Sequence, residues 1–241
     1  MKLIKRTPSP QMEGCFDMSI KTHRVVLFAN GDLPNPVCFK TQLTDEDIFI
    51  AVDGGLAHMV ALELKPMLII GDLDSADPGD VERFQSQGVE VRRFPMDKDE
   101  TDLELAIDAA IEMEPAVIWV AGALGKRLDQ TLGSVFLLSH PQLSGIDVRL
   151  VDGTREVFLI RDSARITGKP GQRISLIPLN GPVESVRTDG LKYPLRSETL
   201  IPHKTRGISN VLTDSSAAVS LGRGTLICIH QTDQPTERSG S

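Results

Sequence analysis

The chain has 241 residues, enough for one large domain or two modest ones, and its 40% hydrophobic and 24% charged content excludes wholesale disorder. Lys and Arg number 26 against 33 Asp and Glu, a formal charge of −7. That balance lacks the positive field that nucleic acid or an anionic bilayer surface requires, so neither is expected as a partner. Three widely spaced cysteines, Cys15, Cys38 and Cys228, argue against a disulfide framework or a structural zinc site. No run approaches the roughly 20 apolar residues of a membrane span. The N-terminus is polar and proline-broken where a secretory signal needs an apolar stretch, so a cytoplasmic location is expected.

From Arg24 onward, short β-branched runs alternate with helical patterns. Strands are predicted over Arg24–Ala29, Ile48–Val52, Met67–Ile70, Val89–Phe94, Ala116–Ala121 and Asp147–Val151. Between them Leu56–Leu64, Pro78–Gln87, Asp102–Glu112 and Leu128–Ser139 carry apolar residues at helical spacing. Strand and helix in repeated order predict an open, mostly parallel α/β sheet with helices on both faces over residues 23–152. After Asp152 the helical period vanishes. Short runs at Glu156–Ile160, Gln172–Ile177, Val183–Thr188, Ile208–Leu212, Ala217–Leu221 and Thr225–His230 read as strands. Turn signals at Lys169-Pro170-Gly171 and Asn180-Gly181-Pro182 separate some of them, so residues 153–231 are expected to form an all-β sandwich. Residues 1–22 and 232–241 are expected to be flexible tails.

In an open parallel sheet, ligands bind outside the carboxyl ends of the strands. Here those positions hold Asn30-Gly31-Asp32, Asp53-Gly54-Gly55, Gly71-Asp72-Leu73-Asp74-Ser75, the Asp97 to Asp102 run, and Gly122-Ala123-Leu124-Gly125-Lys126-Arg127. An extended D-x-D would set the Asp72 and Asp74 carboxylates on one side of the backbone, where their oxygens can share a hard cation such as Mg²⁺. An Asx-turn ending a strand is the plainer explanation of the same motif. Asp53 reads equally well as a helix cap. Thr101-Asp102-Leu103-Glu104 matches a capping box. A cap leaves unexplained the five acidic residues between Asp97 and Glu104, which repel one another unless a cation or a basic partner offsets them. The Gly122 to Arg127 loop supplies two cations and opens a helix, a combination suited to phosphate oxygens, although Asp129 could simply pair with Arg127. Neither the Walker A spacing nor a G-x-G-x-x-G fingerprint is present. In the second half, Tyr193, the sole tyrosine, could form an aromatic platform, although a partly buried core tyrosine is the usual reading, and Ser209-Asn210 can orient a polar ligand or bond its own backbone.

These residues occur in an order that resembles the thiamine pyrophosphokinase family: Asn30-Gly31, Asp53-Gly54-Gly55, Gly71-Asp72-Leu73-Asp74-Ser75, Thr101-Asp102, Gly122-Ala123-Leu124-Gly125 with Arg127-Leu128-Asp129-Gln130, Gly190-Leu191-Lys192-Tyr193 and Ser209-Asn210. The resemblance implies transfer of the pyrophosphoryl group of ATP to thiamine, with AMP as the other product. It implies an α/β domain that binds Mg-ATP, a β-sandwich that binds thiamine, and a homodimer with thiamine between subunits. Asp72, Asp74 and Asp102 would then hold Mg²⁺ and the phosphates, with Arg127 and Asp129 completing the transfer site. Asn30, Asp53, Gly54, Gly55, Ser75, Thr101, Gly122, Gly125, Lys126 and Gln130 would bind the nucleotide. Tyr193, in the place of the family's usual tryptophan, would join Ser209 and Asn210 at thiamine. Two alternatives stay open on sequence alone: a pyrophosphokinase for another small alcohol, such as a pterin, and a non-catalytic Mg-nucleotide sensor.

Overall fold

The computed structural model describes residues 23–125 and 127–232. Both expected terminal tails, apart from Thr232, and the Lys126 assignment lie outside the described residues.

Six strands make the first half of the sheet: β1 (Arg24–Phe28), β2 (Ile48–Val52), β3 (Leu68–Gly71), β4 (Glu90–Arg93), β5 (Val117–Ala121) and β6 (Asp147–Val151). They pair in parallel in the order β4-β3-β2-β1-β5-β6. The chain therefore moves outward from β1 to β4, then returns to the other side of β1, which makes the β1/β5 boundary the topological switch point.

Among the described residues, five α-helices cover the sheet: α1 (Pro36–Lys40), α2 (Leu56–Ala61), α3 (Pro78–Ser86), α4 (Asp102–Ile111) and α5 (Leu128–Leu137). Alternate residues of each strand face opposite sides, so Val25, Leu27, Ile50 and Ile118 pack with Ala106, Ile107 and Ala110 of α4 and Val135 of α5. Val26, Phe28, Ala51 and Ile69 pack on the other face with Leu56 and Met59 of α2 and Val81 and Phe84 of α3. Burial on both faces accounts for the continuous apolar runs of these strands. The short α1 was not predicted; Asn35 caps it by accepting from the Cys38 backbone N–H at 3.1 Å, and Pro36 opens its first turn.

A hairpin then carries the sheet onward. β7 (Arg155–Ile160) pairs antiparallel with β6 across a turn closed by Asp152, which is fully buried. Its Oδ1 accepts from Thr154 N (2.9 Å), Thr154 Oγ1 (2.8 Å) and Arg155 N (2.7 Å), and its Oδ2 accepts from Arg155 Nε (2.7 Å). Beyond it come β8 (Ser163–Thr167), β9 (Arg173–Asp189), β10 (Arg196–Leu200), β11 (Asn210–Val211), β12 (Ser216–Ser220) and β13 (Arg223–Gln231). β13 lies between β7 and β9, while the far part of β9 joins β10 and β12, and β8 forms the outer edge beside β12. Phe158, Leu176, Val183, Val186, Leu212, Val219 and Leu226 fill the space between the two layers, giving the expected sandwich.

One expected turn is corrected. Asn180-Gly181-Pro182 reverses nothing, because β9 runs unbroken for 17 residues through it. Left-handed Asn180 (φ 60°) and Ser185 (φ 57°), with Gly181 at φ 134°, bend the strand from one layer into the other, and β13 shifts register opposite the bend. Lys169-Pro170-Gly171 does form a turn, closed by the Gln172 N–H donating to the Lys169 carbonyl at 3.2 Å. Strands β8 and β10 were not predicted, and the Ile208–Leu212 run contributes only the two residues of β11. Among the described residues no helix is long and apolar enough to cross a membrane.

Candidate active site

The carboxyl ends of β1, β2, β3 and β5 form one rim, and the predicted α/β site residues lie along it. At the switch point the β1 and β5 extensions hold each other: Ala29 N donates to Ala121 O at 2.8 Å and Gly31 N to Gly122 O at 2.6 Å. His58 on α2 fastens the same loop through a 2.8 Å hydrogen bond between its Nε2 and Gly31 O, a role the sequence reading missed. The Asn30 side chain lies against Gly54, where a methyl group would meet its amide at 2.6 Å. Gly55 is more constrained still, since a Cβ there would stand 1.8 Å from the Phe28 carbonyl oxygen. This glycine lets the turn after β2 pass directly against β1.

Asp53 follows β2 with φ 48°, a left-handed conformation that few non-glycine residues adopt. Its carboxylate does not cap α2. It reaches across to the β3–α3 loop, where Oδ1 accepts from Ser75 N at 3.3 Å. The D-x-D motif is not extended either: Leu73 sits at φ 63°, and Asp72 Oδ1 accepts from Asp74 N at 3.1 Å. The motif is an Asx-turn, and that turn swings the two carboxylates toward Asp53. One oxygen each from Asp53, Asp72 and Asp74 lies within 4.8 Å of the others. Ser75 Oγ donates to Asp74 Oδ1 at 2.9 Å, fixing the exposed member. Three convergent hard oxygen donors, with room for further ligands at an exposed edge, suit Mg²⁺.

Asp102 stands beside this trio. A Cβ on Gly71 would lie 3.1 Å from Asp53 Cβ and 3.3 Å from Asp102 Cγ, so the two acids flank the same glycine. Thr101 caps α4 by accepting from Glu104 N at 3.2 Å, as the capping box predicts. The basic partner that the acidic run demanded is Lys98, whose Nζ lies 2.9 Å from Asp102 Oδ1. Its spacing four residues before Asp102 was the available signal, masked by the surrounding acids. Burial raises the Asp53 pKa above 3.8, and the neighbouring Asp74 and Asp102 charges push the same way against hydrogen bonds from Gly54 and Ser75. The Lys98 ammonium is favoured first by its close contact with the Asp102 carboxylate and then by the Asp102, Asp72 and Asp53 charges.

Further along the rim, Gly125 N and the Thr131 hydroxyl stand 3.2 Å apart, tying the β5–α5 loop to the helix it opens. Arg127 and Asp129 are both exposed and grip each other through Nη2–Oδ2 (2.6 Å) and Nε–Oδ1 (3.2 Å) bonds. That hydrogen bond holds the guanidinium charged and the Asp129 pKa below 3.8. Gln130 is exposed on the first turn of α5.

The second set of predicted residues gathers elsewhere. The Asn210 amide is consumed by backbone: Oδ1 accepts from Tyr193 N and Val211 N, each at 2.9 Å, and Nδ2 donates to Tyr193 O at 2.7 Å. Asn210 thus pins the Tyr193 segment, leaving the ring half exposed with Lys192 Nζ 5.5 Å from its centroid. Ser209, at φ 58°, donates its N–H to Ser175 Oγ at 3.1 Å.

Comparison with known proteins gives both halves one source. The thiamin pyrophosphokinase catalytic domain model matches residues 39–150, and the thiamin pyrophosphokinase vitamin B1 binding domain model matches residues 163–226. Thiamine pyrophosphokinase of Bacillus subtilis is 31% identical over 196 residues, which are 80% of this chain and 92% of that protein. The chain belongs to the thiamine pyrophosphokinase family. Among solved members, the Bacillus subtilis crystal structure superposes with a TM-score of 0.78 at 28% identity, covering 88% of this chain and 100% of the other. The Geobacillus thermodenitrificans enzyme gives 0.75 at 27%, covering 88% and 98%. The family's catalytic model spans the carboxylate rim, and its vitamin-binding model spans Tyr193, Ser209 and Asn210.

Proposed function

We propose that this enzyme transfers the pyrophosphoryl group of ATP to the hydroxyl of thiamine, with residues 23–152 carrying Mg-ATP and residues 153–231 carrying thiamine. The observation that carries the reading is the convergence of Asp53, Asp72 and Asp74 within 4.8 Å on the strand-end rim of a chain from this family. The thiamine hydroxyl attacks the β-phosphorus in line. A new O–P bond forms as the bond from the β-phosphorus to the AMP oxygen breaks, so the terminal two phosphates move as one group, and the hydroxyl proton is released. Asp53, Asp72 and Asp74, with Asp102 adjacent, would hold Mg²⁺, which would supply neutralisation of phosphate charge. The chain's own residues orient the rest. Gly122, Gly125 and the α5 N-terminus present the loop to the phosphates, and Arg127 offers an exposed cation. Catalysis rests on positioning and charge, as in phosphoryl transfer generally.

The same reading makes the working unit a homodimer. From β3, which leads into Asp72 and Asp74, to β9, which β11 and Asn210 adjoin, the sheet runs through β2, β1, β5, β6, β7 and β13. At about 4.8 Å per strand that contour is roughly 34 Å, so a thiamine resting on Tyr193 meets the carboxylates of a second copy more readily than those of its own. Leu128, Leu132 and Phe136, four residues apart along α5, are 73%, 49% and 52% exposed and provide an apolar face for that copy.

Incubation of the purified protein with thiamine, ATP and Mg²⁺ tests the reaction. Thiamine diphosphate and AMP should accumulate in equal amounts. ADP as the nucleotide product would overturn pyrophosphoryl transfer.

A further inference from the structure

Among the described residues of the rim, Lys98 is explained neither by the caps nor by the carboxylate trio. It lies in the loop between β4 and α4, yet its side chain is only 12% exposed, and its ammonium sits 2.9 Å from Asp102 Oδ1 and 3.1 Å from the Pro95 carbonyl oxygen. The Pro95 contact is intraloop, so it anchors the lysine without drawing it away from the site. Asp102 in turn flanks Gly71 together with Asp53, one of the three convergent carboxylates. Among the described residues, the fixed positive charge of Lys98 therefore stands at the edge of four negative ones.

We propose that Lys98 is a resident counter-cation that discriminates between a bare divalent ion and a metal–nucleotide complex. This rests on the reading of the Asp53, Asp72 and Asp74 cluster as a metal site. Toward a bare cation Lys98 is a like charge and a competitor for the carboxylates, so it weakens binding. Toward a metal carrying a polyphosphate it is an opposite charge, because the phosphates bring more negative charge than the metal neutralises. The sign of its contribution inverts with the ligand, which a merely structural ion pair does not do. Under water-like screening, one unit charge acting on a divalent ion across the width of a carboxylate changes affinity on the order of tenfold. Lys98 is thereby a positioning and specificity residue: it holds Asp102 in place before the nucleotide arrives and favours a metal delivered with phosphates.

The test titrates Mn²⁺, as a paramagnetic probe of the metal site, into wild-type protein and into Lys98→Gln and Lys98→Arg, each with and without ATP. Lys98→Gln is expected to bind Mn²⁺ alone about tenfold more tightly and Mn-ATP about tenfold more weakly, while Lys98→Arg keeps both wild-type constants within about threefold. Unchanged constants in a folded Lys98→Gln protein, or a shift of both in one direction, would overturn the inference while leaving the metal site standing. Absence of Mn²⁺ binding to wild-type protein with ATP would instead remove the metal site itself, and the inference with it. Lys98→Met carries the same measurement if Lys98→Gln does not fold.

Discussion

Replacing Asp53 by Asn separates the stability of the rim from its chemistry. Asn is isosteric, keeps an oxygen for the Ser75 N–H, and tolerates the left-handed φ of 48° at least as well as Asp. It removes one charge from three carboxylates whose oxygens lie within 4.8 Å of one another. At that separation a pair of unit charges repels by about 0.9 kcal/mol even at the dielectric constant of water. Asp53 forms two such pairs, with Asp72 and Asp74, so about 1.7 kcal/mol of repulsion disappears; its lost attraction to Lys98 is offset by lost repulsion from Asp102, and a net gain of at least about 1 kcal/mol remains. For a chain of this size, that gain raises the melting temperature by about 2 to 4 °C. Thermal unfolding in a chelating buffer should therefore show Asp53→Asn more stable than wild type, while the thiamine diphosphate assay shows turnover nearly lost. The pH dependence gives an independent check. Because the folded-state pKa of Asp53 lies above 3.8, folded protein holds that proton more tightly than unfolded protein. Wild-type stability is then free of the penalty below 3.8, declines as pH rises through that value, and carries the full penalty above the folded-state pKa. Asp53→Asn should lack this slope. A variant that folds but melts at or below the wild-type temperature without metal, or that keeps wild-type turnover, would refute the electrostatic account.

Three further outcomes follow from other parts of the fold. Asp152→Ala removes the acceptor of four hydrogen bonds in the turn between β6 and β7 and should cost about 2 to 3 kcal/mol in chemical denaturation, with Asp152→Asn recovering part of it. Gly55→Ala drives a methyl group to 1.8 Å from the Phe28 carbonyl oxygen in the buried sheet, so soluble folded protein should be nearly lost; a normal melting temperature would contradict the packing described. His230 is buried, with its Nε2 2.9 Å from Gln172 Oε1, and burial lowers its pKa below 6.5 despite the opposing Glu156 charge. Unfolded chains then bind that proton more readily, so stability should fall as pH drops below 6.5, and His230→Gln should flatten the change in melting temperature across that range.

The parallel half of the fold was legible because strands buried on both faces must be apolar throughout, and all six strand runs of the first half were found. The sandwich was less so. β8 reads Ser-Ala-Arg-Ile-Thr and β10 reads Arg-Ser-Glu-Thr-Leu, and both lie at the margins of the outer layer, where few positions are buried and alternation fades. Asn180-Gly181-Pro182 was misread for a related reason. Positive φ is demanded both by a tight reversal and by a strand that changes layer, so the same residues serve either.

At the site, the informative residues were those whose local structural duties fall short of their chemistry. Thr101 is explained by its cap, and the structure gives that cap to it. Asp53 had an equally good capping explanation, yet its carboxylate turns away from α2 and joins two other acids, held by a backbone conformation that costs energy. The Asx-turn at Asp72 was treated as the rival of a cation site, whereas the turn is what brings Asp72 and Asp74 to Asp53. Local rules and chemistry are therefore not alternatives at this rim. Asp53 and Leu73 are left-handed and the charges are alike, so the arrangement is unfavourable by itself and becomes favourable only with positive charge. Lys98 supplies one unit of it beside Asp102, and the negative charge left on the remaining carboxylates is the driving force for the metal binding proposed above.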